Sequence, residues 1–142
     1  MNENKNRISW QQMFMEIAKV VSRRSADPKT QVGACLVKNN RLLSIGYNGP
    51  IQGFILDFDW STPEKYDYVV HAEENCISNA MKIGANTEGA EIYLTLSPCN
   101  HCIKILAQAG IKKVYYLKEY KDFELTKKIA ENANVELIKI NE

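Results

Sequence analysis

Residues 92–117 read IYLTLSPCNHCIKILAQAGIKKVYYL, and this stretch decides the fold class. Two short apolar runs, at 92–96 and 114–117, predict β-strands on either side of a helix at about 99–109. A strand, a helix and a strand in that order predict parallel strands joined by a right-handed crossover. The second half of the chain therefore predicts parallel strands that are covered by helices.

The segments upstream predict a helix and a β-hairpin. Ser9 begins a capping box ahead of a helix at about 9–23, whose apolar residues recur at helical spacing. Apolar runs at 32–37 and 42–45 follow, joined through Asn39-Asn40, a pair that favours a turn. These two runs predict an antiparallel hairpin.

The remaining elements complete a mixed sheet. A long irregular segment at 46–68 precedes a helix at about 71–83, and a helix at 122–133 and a strand at 135–140 end the chain. Loops as long as 46–68 are often functional. We expect a single α/β domain over residues 1–142. Its fold would be a three-layer αβα arrangement, in which helices flank a five-stranded mixed sheet and the N-terminal hairpin adds an antiparallel edge to the parallel strands.

Composition and charge exclude several classes of protein. Lys and Arg number 18 and Asp and Glu 17, so the net charge of +1 would not draw the chain onto a polyanion, and nucleic acid is not an expected partner. The chain shows no apolar signal segment and no run near the about 18 apolar residues of a membrane helix. We expect a cytoplasmic protein without membrane contact, whose four cysteines stay reduced.

Two short motifs carry the chemistry. His71-Ala72-Glu73 starts one predicted helix, and Pro98-Cys99-Asn100-His101-Cys102 starts the next. Cysteines at i and i+3 share a helix face and can hold one metal ion. The partial positive charge at a helix N-terminus favours the thiolate form that zinc requires. Glu73 stands too close to His71 to ligate the same ion comfortably, and a carboxylate beside an open zinc position can carry protons.

Other interpretations of the histidines and cysteines remain open. Three protein ligands and one open position mark a catalytic zinc site, whereas a structural site normally has four; the cysteine pair alone would also fit a redox pair or buried thiols. His101 lies about 100° and 200° around the helix from Cys102 and Cys99, which makes it a poor fourth ligand. Cys35 and Cys76, in an apolar strand and inside a helix, are predicted to be small buried hydrophobes.

The combination of H-x-E with P-C-x-x-C is the signature of zinc-dependent nucleobase deaminases, and the chain resembles that superfamily. Within it, the chain closely resembles deoxycytidylate (dCMP) deaminases over about residues 8–140. The segments that carry the resemblance are RSADPKTQVGAC at 24–35, GYNG at 46–49, KYDYVVHAEEN at 65–75 and AGIKKV at 109–114. The resemblance implies the cytidine deaminase-like version of the αβα fold.

The resemblance also implies an activity and a cofactor. The activity is hydrolytic deamination of dCMP to dUMP with release of ammonia, a step of pyrimidine deoxynucleotide metabolism that supplies dTTP. The cofactor is one zinc ion per chain, bound by His71, Cys99 and Cys102, with Glu73 as proton donor and acceptor. Zinc of this kind lowers the pKa of a bound water from 15.7 toward about 7.

Substrate contacts follow from the same resemblance. Asn48 of the GYNG turn would hydrogen-bond the sugar, although an Asn at this place also suits a plain turn. Arg24 with Ser25, in the loop after the first helix, would hold the phosphate. The alternatives are that Arg24 is a solvated charge and that the phosphate lies at Lys29, at Lys65 or on a neighbouring subunit. Ala72, beside the ligand histidine, and Tyr120, just past a strand end, would belong to the substrate pocket.

The resemblance further implies a homo-oligomer, either a dimer or a hexamer, and allosteric regulation by dCTP and dTTP. Two features depart from the family pattern: Pro50 directly follows Gly49, and the 50–68 loop lacks the extra Cys and His that give some relatives a second zinc. The alternative enzymes are deaminases of another cytosine nucleoside or nucleotide, or of adenosine in tRNA. The non-enzyme alternative is a nucleotide-sensing or zinc-stabilised interaction module, against which Glu73 argues.

Overall fold

The structure, a computed structural model, describes residues 4–142. Its helices are α1 (Trp10–Ser22), α2 (Ala72–Lys82), α3 (Asn100–Gln108) and α4 (Phe123–Asn132). Its strands are β1 (Gly33–Lys38), β2 (Arg41–Tyr47), β3 (Gly49–Pro50), β4 (Val69–Val70), β5 (Glu91–Leu96), β6 (Lys113–Lys118) and β7 (Glu136–Lys139). Every helix and strand predicted from the sequence forms, and its ends lie within about two residues of the predicted ones.

The main sheet has five strands in the order β2-β1-β5-β6-β7. β1 pairs antiparallel with both β2 and β5, whereas β5, β6 and β7 run parallel. The hairpin therefore supplies the antiparallel edge, as the sequence predicts. Its turn follows from Asn39 and Asn40, whose φ angles of 52° and 58° both lie in the left-handed region that a type I′ hairpin turn requires.

Helices cover both faces of this sheet. α1 lies on one face, where Phe14, Met15 and Ala18 pack against Cys35 and Tyr93 of the central strands. α2, α3 and α4 lie on the other face and form the larger core. The three-layer αβα prediction is confirmed. Cys35 and Cys76 are fully buried thiols on opposite faces, in agreement with their predicted packing role.

The long segment between β2 and α2 is more ordered than its sequence predicts. β3 pairs with β4 in a two-stranded antiparallel sheet, and a 3₁₀ helix spans Pro63–Asp67. Neither element is long enough to produce a periodic pattern, so periodicity could not reveal them. Aromatic rings hold the segment together, with centroid distances of 4.7–6.1 Å among Phe54, Phe58, Trp60 and Tyr68.

Side-chain hydrogen bonds attach α2 to the edge strand β2. The Asn75 side-chain amide donates to the Tyr47 carbonyl at 2.6 Å, and Asn79, one turn later, donates to the Ile45 carbonyl at 2.8 Å. Gly46 lets the two backbones approach, because a Cβ there would collide with the Cys76 backbone nitrogen. This attachment fixes the N-terminal turn of α2, which carries the His71-Ala72-Glu73 motif. Asn75 therefore supports the helix that carries Glu73.

Gly46→Ala tests this close approach. We expect the variant to lower the free energy of unfolding by about 1–3 kcal/mol or more, because backbone atoms must move to admit the methyl group. Gly49→Ala is the matched control, since a Cβ there meets its nearest heavy atom at 3.9 Å. Urea unfolding of both variants measures the difference. Equal stability of the two variants would contradict the close approach of α2 to β2.

Among residues 4–142, no helix combines the length and the apolar character needed to cross a membrane.

Candidate metal centre and active site

The two sequence motifs meet at the N-terminal ends of α2 and α3. His71 immediately precedes α2. Its backbone N–H donates to the Glu74 side-chain carboxylate at 3.0 Å, and this hydrogen bond caps the N-terminus of α2. Cys99 caps α3, and its Sγ accepts the Cys102 N–H at 3.4 Å. α3 follows the carboxyl end of β5, the edge at which ligands bind in α/β sheets. The helix starts therefore bring one imidazole and two thiols together.

The three side chains have the spacing of a metal site. His71 Nδ1 lies 3.1 Å from Cys102 Sγ and 3.7 Å from Cys99 Sγ, and all three ligand atoms lie within 4.8 Å of one another. Tetrahedral zinc with Zn–N of about 2.1 Å and Zn–S of about 2.3 Å separates its ligand atoms by about 3.6–3.8 Å. The cluster therefore supplies three ligand atoms at spacings near those around a zinc ion.

His101 does not join this cluster. Its side chain is 63% exposed and its Nε2 lies 4.0 Å from a carboxylate oxygen of Glu74. Within the part of the chain that the structure describes, the metal-ligating group is limited to His71, Cys99 and Cys102. A fourth protein ligand is therefore not in place, and the geometry favours an open coordination position over a closed structural site.

The electrostatics of the cluster suit a cation. The hydrogen bond from the Cys102 thiol, together with His71, holds the pKa of Cys99 well below its usual range. Donating that bond raises the pKa of Cys102. The hydrogen bond to Cys99 raises the pKa of His71 to about 8, although burial opposes this. A metal ion bound by both sulfurs would favour the thiolate form of each.

Glu73 is a buried carboxyl in the first turn of α2. It is 4% exposed, and burial raises its pKa to about 7. A carboxyl with a pKa near neutrality can both accept and donate a proton at physiological pH, as general acid–base catalysis requires. Glu73 therefore has the properties that the sequence assigns to a proton carrier beside the metal.

A pocket of about 100 Å³ opens next to these groups. Its lining combines the motif residues with three other parts of the chain: the loop before β1, the segment before α2, and the ends of β5 and β6. The lining residues are Asp27, Thr30, Val32, Asn48, Lys65, Tyr66, Val69, His71, Ala72, Glu73, Leu96, Ser97, Cys99 and Tyr120. Asn48, Ala72 and Tyr120, which the sequence predicts as substrate-binding residues, are all among them.

Asn48 hydrogen-bonds to two backbone groups of the loop that forms one wall of the pocket. Its Oδ1 accepts the Val32 N–H at 2.9 Å, and its Nδ2 donates to the Thr30 carbonyl at 2.9 Å. Ser25 lies behind it, since the Ser25 hydroxyl donates to the Asn48 carbonyl at 2.8 Å. Ser25 is buried and is absent from the pocket lining, so its place in the structure is that of a loop anchor.

Arg24 lies outside the pocket. Its side chain is exposed, with the guanidinium carbon 5.8 Å from the centre of the Tyr47 ring, and it is not a lining residue. The structure therefore does not bring Arg24 together with the other predicted substrate residues.

Sequence reasoning did not single out an ion pair at the pocket. Lys65 Nζ lies 3.0 Å from Asp27 Oδ2, and both side chains are largely buried. Burial alone would raise the pKa of Asp27, but hydrogen bonds from the Lys29 and Thr30 amides and from Lys65 outweigh it and hold the pKa below its ordinary value. Lys65 begins the motif KYDYVVHAEEN, six residues before His71. This closeness in sequence was the available signal that Lys65 lies near the site.

A helix-flanked mixed sheet that carries a His/Cys/Cys cluster and a buried glutamate at two helix starts defines a zinc-dependent deaminase. The cytidine and deoxycytidylate deaminase zinc-binding region matches residues 8–118, and the chain belongs to this family. The cluster of His71, Cys99 and Cys102 is thus positioned to coordinate the zinc ion of the family.

Curated relatives agree with this assignment. The chain is 43% identical over 128 residues to the deoxycytidylate deaminase of Mus musculus, covering 84% of this chain and 71% of that protein. It is 42% identical over 120 residues to the deoxycytidylate deaminase of Homo sapiens, covering 79% and 66%. It is 41% identical over 132 residues to ComE operon protein 2 of Bacillus subtilis, covering 91% and 70%.

A solved structure extends the likeness to the fold. The dCMP deaminase of the cyanophage S-TIM5, in complex with dCMP and dUMP, superposes with a TM-score of 0.83 at 31% sequence identity. The match covers 98% of this chain and 100% of that one.

Proposed function

We propose that this protein is a dCMP deaminase, which converts dCMP and water into dUMP and ammonia. The observation that carries the reaction type is the buried carboxyl of Glu73 in the same pocket as the zinc ligands His71 and Cys99. The deoxycytidylate deaminases among its relatives, together with the cyanophage enzyme in complex with dCMP and dUMP, support the substrate.

His71, Cys99 and Cys102 would hold the zinc ion, which when bound would supply Lewis acidity that lowers the pKa of water towards neutrality. Glu73 accepts a proton from the attacking water and delivers it to the ring nitrogen beside the amino-bearing carbon. That protonation makes the carbon more electrophilic. The water oxygen bonds to that carbon, and Glu73 moves the remaining proton of that oxygen to the amino group. The carbon–nitrogen bond then breaks, ammonia leaves, and the oxygen remains as the carbonyl of dUMP.

Three further lining residues suit substrate positioning. The two hydrogen bonds of Asn48 to the chain leave one N–H and one oxygen lone pair for the sugar. Ala72, between His71 and Glu73, and Tyr120, two residues past the end of β6, also line the pocket. We propose these residues as the binding site of the nucleoside part.

Binding of the negatively charged phosphate of dCMP requires a cation inside the pocket. Among residues 4–142, Lys65 is the lysine or arginine that lines it, and its side chain is 12% exposed. Asp27 accepts one of its three ammonium N–H groups. We therefore propose Lys65 as the phosphate-binding residue and keep Arg24 with Ser25 as the alternative.

Lys65→Gln and Arg24→Ala distinguish these two possibilities. A charge-assisted hydrogen bond contributes about 1.5–3 kcal/mol, so Lys65→Gln should lower kcat/KM for dCMP by about 10- to 150-fold and leave the slow reaction of deoxycytidine nearly unchanged. Glutamine keeps an N–H for Asp27, which limits damage to the loop. Arg24→Ala should change neither rate appreciably.

Other outcomes have clear meanings. A dCMP-selective loss in Arg24→Ala but not in Lys65→Gln would move the phosphate to Arg24. Equal loss on dCMP and deoxycytidine in Lys65→Gln would show that Lys65 supports the pocket and does not bind phosphate.

Assembly and regulation complete the proposal. We propose that residues 1–142 form one deaminase domain that assembles into a homo-oligomer and responds to dCTP and dTTP. Family membership supports this, as do exposed apolar side chains such as Ile51, Ile55 and Leu56 between β3 and the 3₁₀ helix. The four free cysteines suit the reducing cytoplasm. Sedimentation tests the homo-oligomer, and activity assays with added dCTP or dTTP test the regulation.

A substrate series tests the activity. Ammonia release is measured from dCMP, CMP, deoxycytidine, cytosine and a tRNA hairpin under identical conditions. We expect dCMP to have the highest kcat/KM. Preference for another cytosine compound, or for the tRNA hairpin, would replace the proposed substrate, and no ammonia from any of them would support a non-enzymatic role.

A further inference from the structure

Thr126 is a buried polar side chain that lies on α4, away from the pocket lining. It is 1% exposed, and its hydroxyl donates to the Pro98 carbonyl at 3.0 Å. A helical threonine often bonds to the carbonyl four residues earlier in its own helix. Thr126 instead reaches across to the connection between β5 and α3.

The Pro98 carbonyl belongs to the peptide unit that leads into Cys99. Cys99 caps α3, and its sulfur accepts the Cys102 N–H within the same turn. The direction of the chain at Pro98 therefore determines where the sulfur of Cys99 lies and how the first turn of α3 presents Cys102. Thr126 touches that chain one residue before the first thiol.

Ser97 strengthens the same attachment. Its backbone N–H donates to the Lys118 carbonyl at 2.8 Å, and its hydroxyl oxygen accepts the Tyr120 N–H at 2.6 Å. Residues 97 and 98 are thus held at three points by the end of β6 and the start of α4. Ser97 and Tyr120 also line the pocket, so one set of hydrogen bonds joins the thiol-bearing turn to the pocket wall.

We propose that Thr126 is a positioning residue for the zinc centre, acting through Pro98 on the two cysteine ligands. The inference rests on the proposed assignment of Cys99 and Cys102 as ligands. Partners that orient metal ligands without touching the metal typically contribute 10- to 100-fold in metal affinity, because they hold the ligands ready for binding. The buried hydroxyl of Thr126 is such a partner for a thiolate pair.

Thr126→Val and Thr126→Ser test the proposal. Valine keeps the shape and loses the hydroxyl, whereas serine keeps the hydroxyl. In competition with a chelator, we expect Thr126→Val to weaken zinc binding by about 10- to 100-fold and Thr126→Ser to stay close to wild type. With cobalt in place of zinc, the thiolate-to-cobalt absorption band should change in the valine variant and be restored in the serine variant.

Ala130→Gly controls for simple destabilisation of α4. Ala130 is 1% exposed on the same helix, and glycine lowers helix stability without touching residues 97 and 98. We expect a lower Tm with unchanged zinc affinity. Wild-type zinc affinity and an unchanged cobalt spectrum in Thr126→Val would overturn the proposal, and so would an equal loss of affinity in Ala130→Gly.

The remaining outcomes are also decisive. If Thr126→Val does not fold, Thr126→Ala takes its place. Failure of both to fold, with Thr126→Ser and Ala130→Gly folded, would overturn the proposal, because the hydroxyl would then serve the whole fold. A wild-type chain that binds no zinc would overturn the ligand assignment and this inference together, whereas zinc binding that ignores Thr126 overturns the inference alone.

Discussion

Glu73→Gln is expected to lower kcat for dCMP deamination by about 10²–10⁴-fold or more and to leave the zinc content unchanged. Glutamine has nearly the shape of glutamate but cannot accept a proton from water and return it to the substrate. Glu73 is buried, and its pKa of about 7 suits both halves of that cycle. Single-turnover rates and zinc analysis of the same preparation provide the measurement.

Glu74→Gln is the matched control for this variant. Glu74 stands next in the same helical turn, closes the helix end at His71 and is absent from the pocket lining. Glutamine keeps an oxygen for the His71 N–H, so this variant should retain most of its activity. If Glu73→Gln kept more than about a tenth of the wild-type rate, proton transfer by Glu73 would be untenable.

Cys102→Ala is expected to abolish zinc binding and activity and to lower the Tm. Cys102 is fully buried at the centre of the cluster, 3.1 Å from His71 Nδ1. Alanine leaves two of the three protein ligands, and metal that binds only the folded chain no longer stabilises it. Elemental analysis should find about one zinc per wild-type chain and almost none in the variant.

Cys76→Ala separates metal loss from the loss of a buried thiol. Cys76 is equally buried on α2, where its sulfur lies 3.4 Å from the Ser44 hydroxyl. This variant should lose some stability and keep its zinc. Two zinc ions per wild-type chain, or full zinc content in Cys102→Ala, would be incompatible with a three-ligand centre at His71, Cys99 and Cys102.

The parts of the fold that are visible in the sequence are those with local signals. The alternation of strand and helix after residue 90 required parallel crossovers, and Asn39-Asn40 suited the left-handed turn that the hairpin adopts. The two-residue strands β3 and β4 carry no periodic pattern. Their pairing accompanies an aromatic cluster in the segment between them, a tertiary contact that leaves no local sequence signal.

The residues of the candidate site also differ in whether the sequence alone could identify them. The zinc ligands and Glu73 lie in short motifs at two helix starts, and their spacing in the sequence largely determines how their side chains are arranged. Lys65 lines the pocket and pairs there with Asp27, 38 positions earlier in the chain. Arg24 stands in a matching segment, yet the chain turns its side chain towards Tyr47 and solvent. Spacing identifies ligands that are close in sequence, whereas the pocket wall depends on long-range packing.

Ammonia release from dCMP, followed while zinc is removed and returned, tests the proposed function most directly. The zinc-loaded protein should convert dCMP to dUMP with one ammonia per dUMP. Activity should disappear with chelation and return in proportion to zinc, reaching its maximum near one ion per chain. A chain that released ammonia equally fast without zinc, or a chain with one zinc ion that released none from dCMP, would contradict the proposed function.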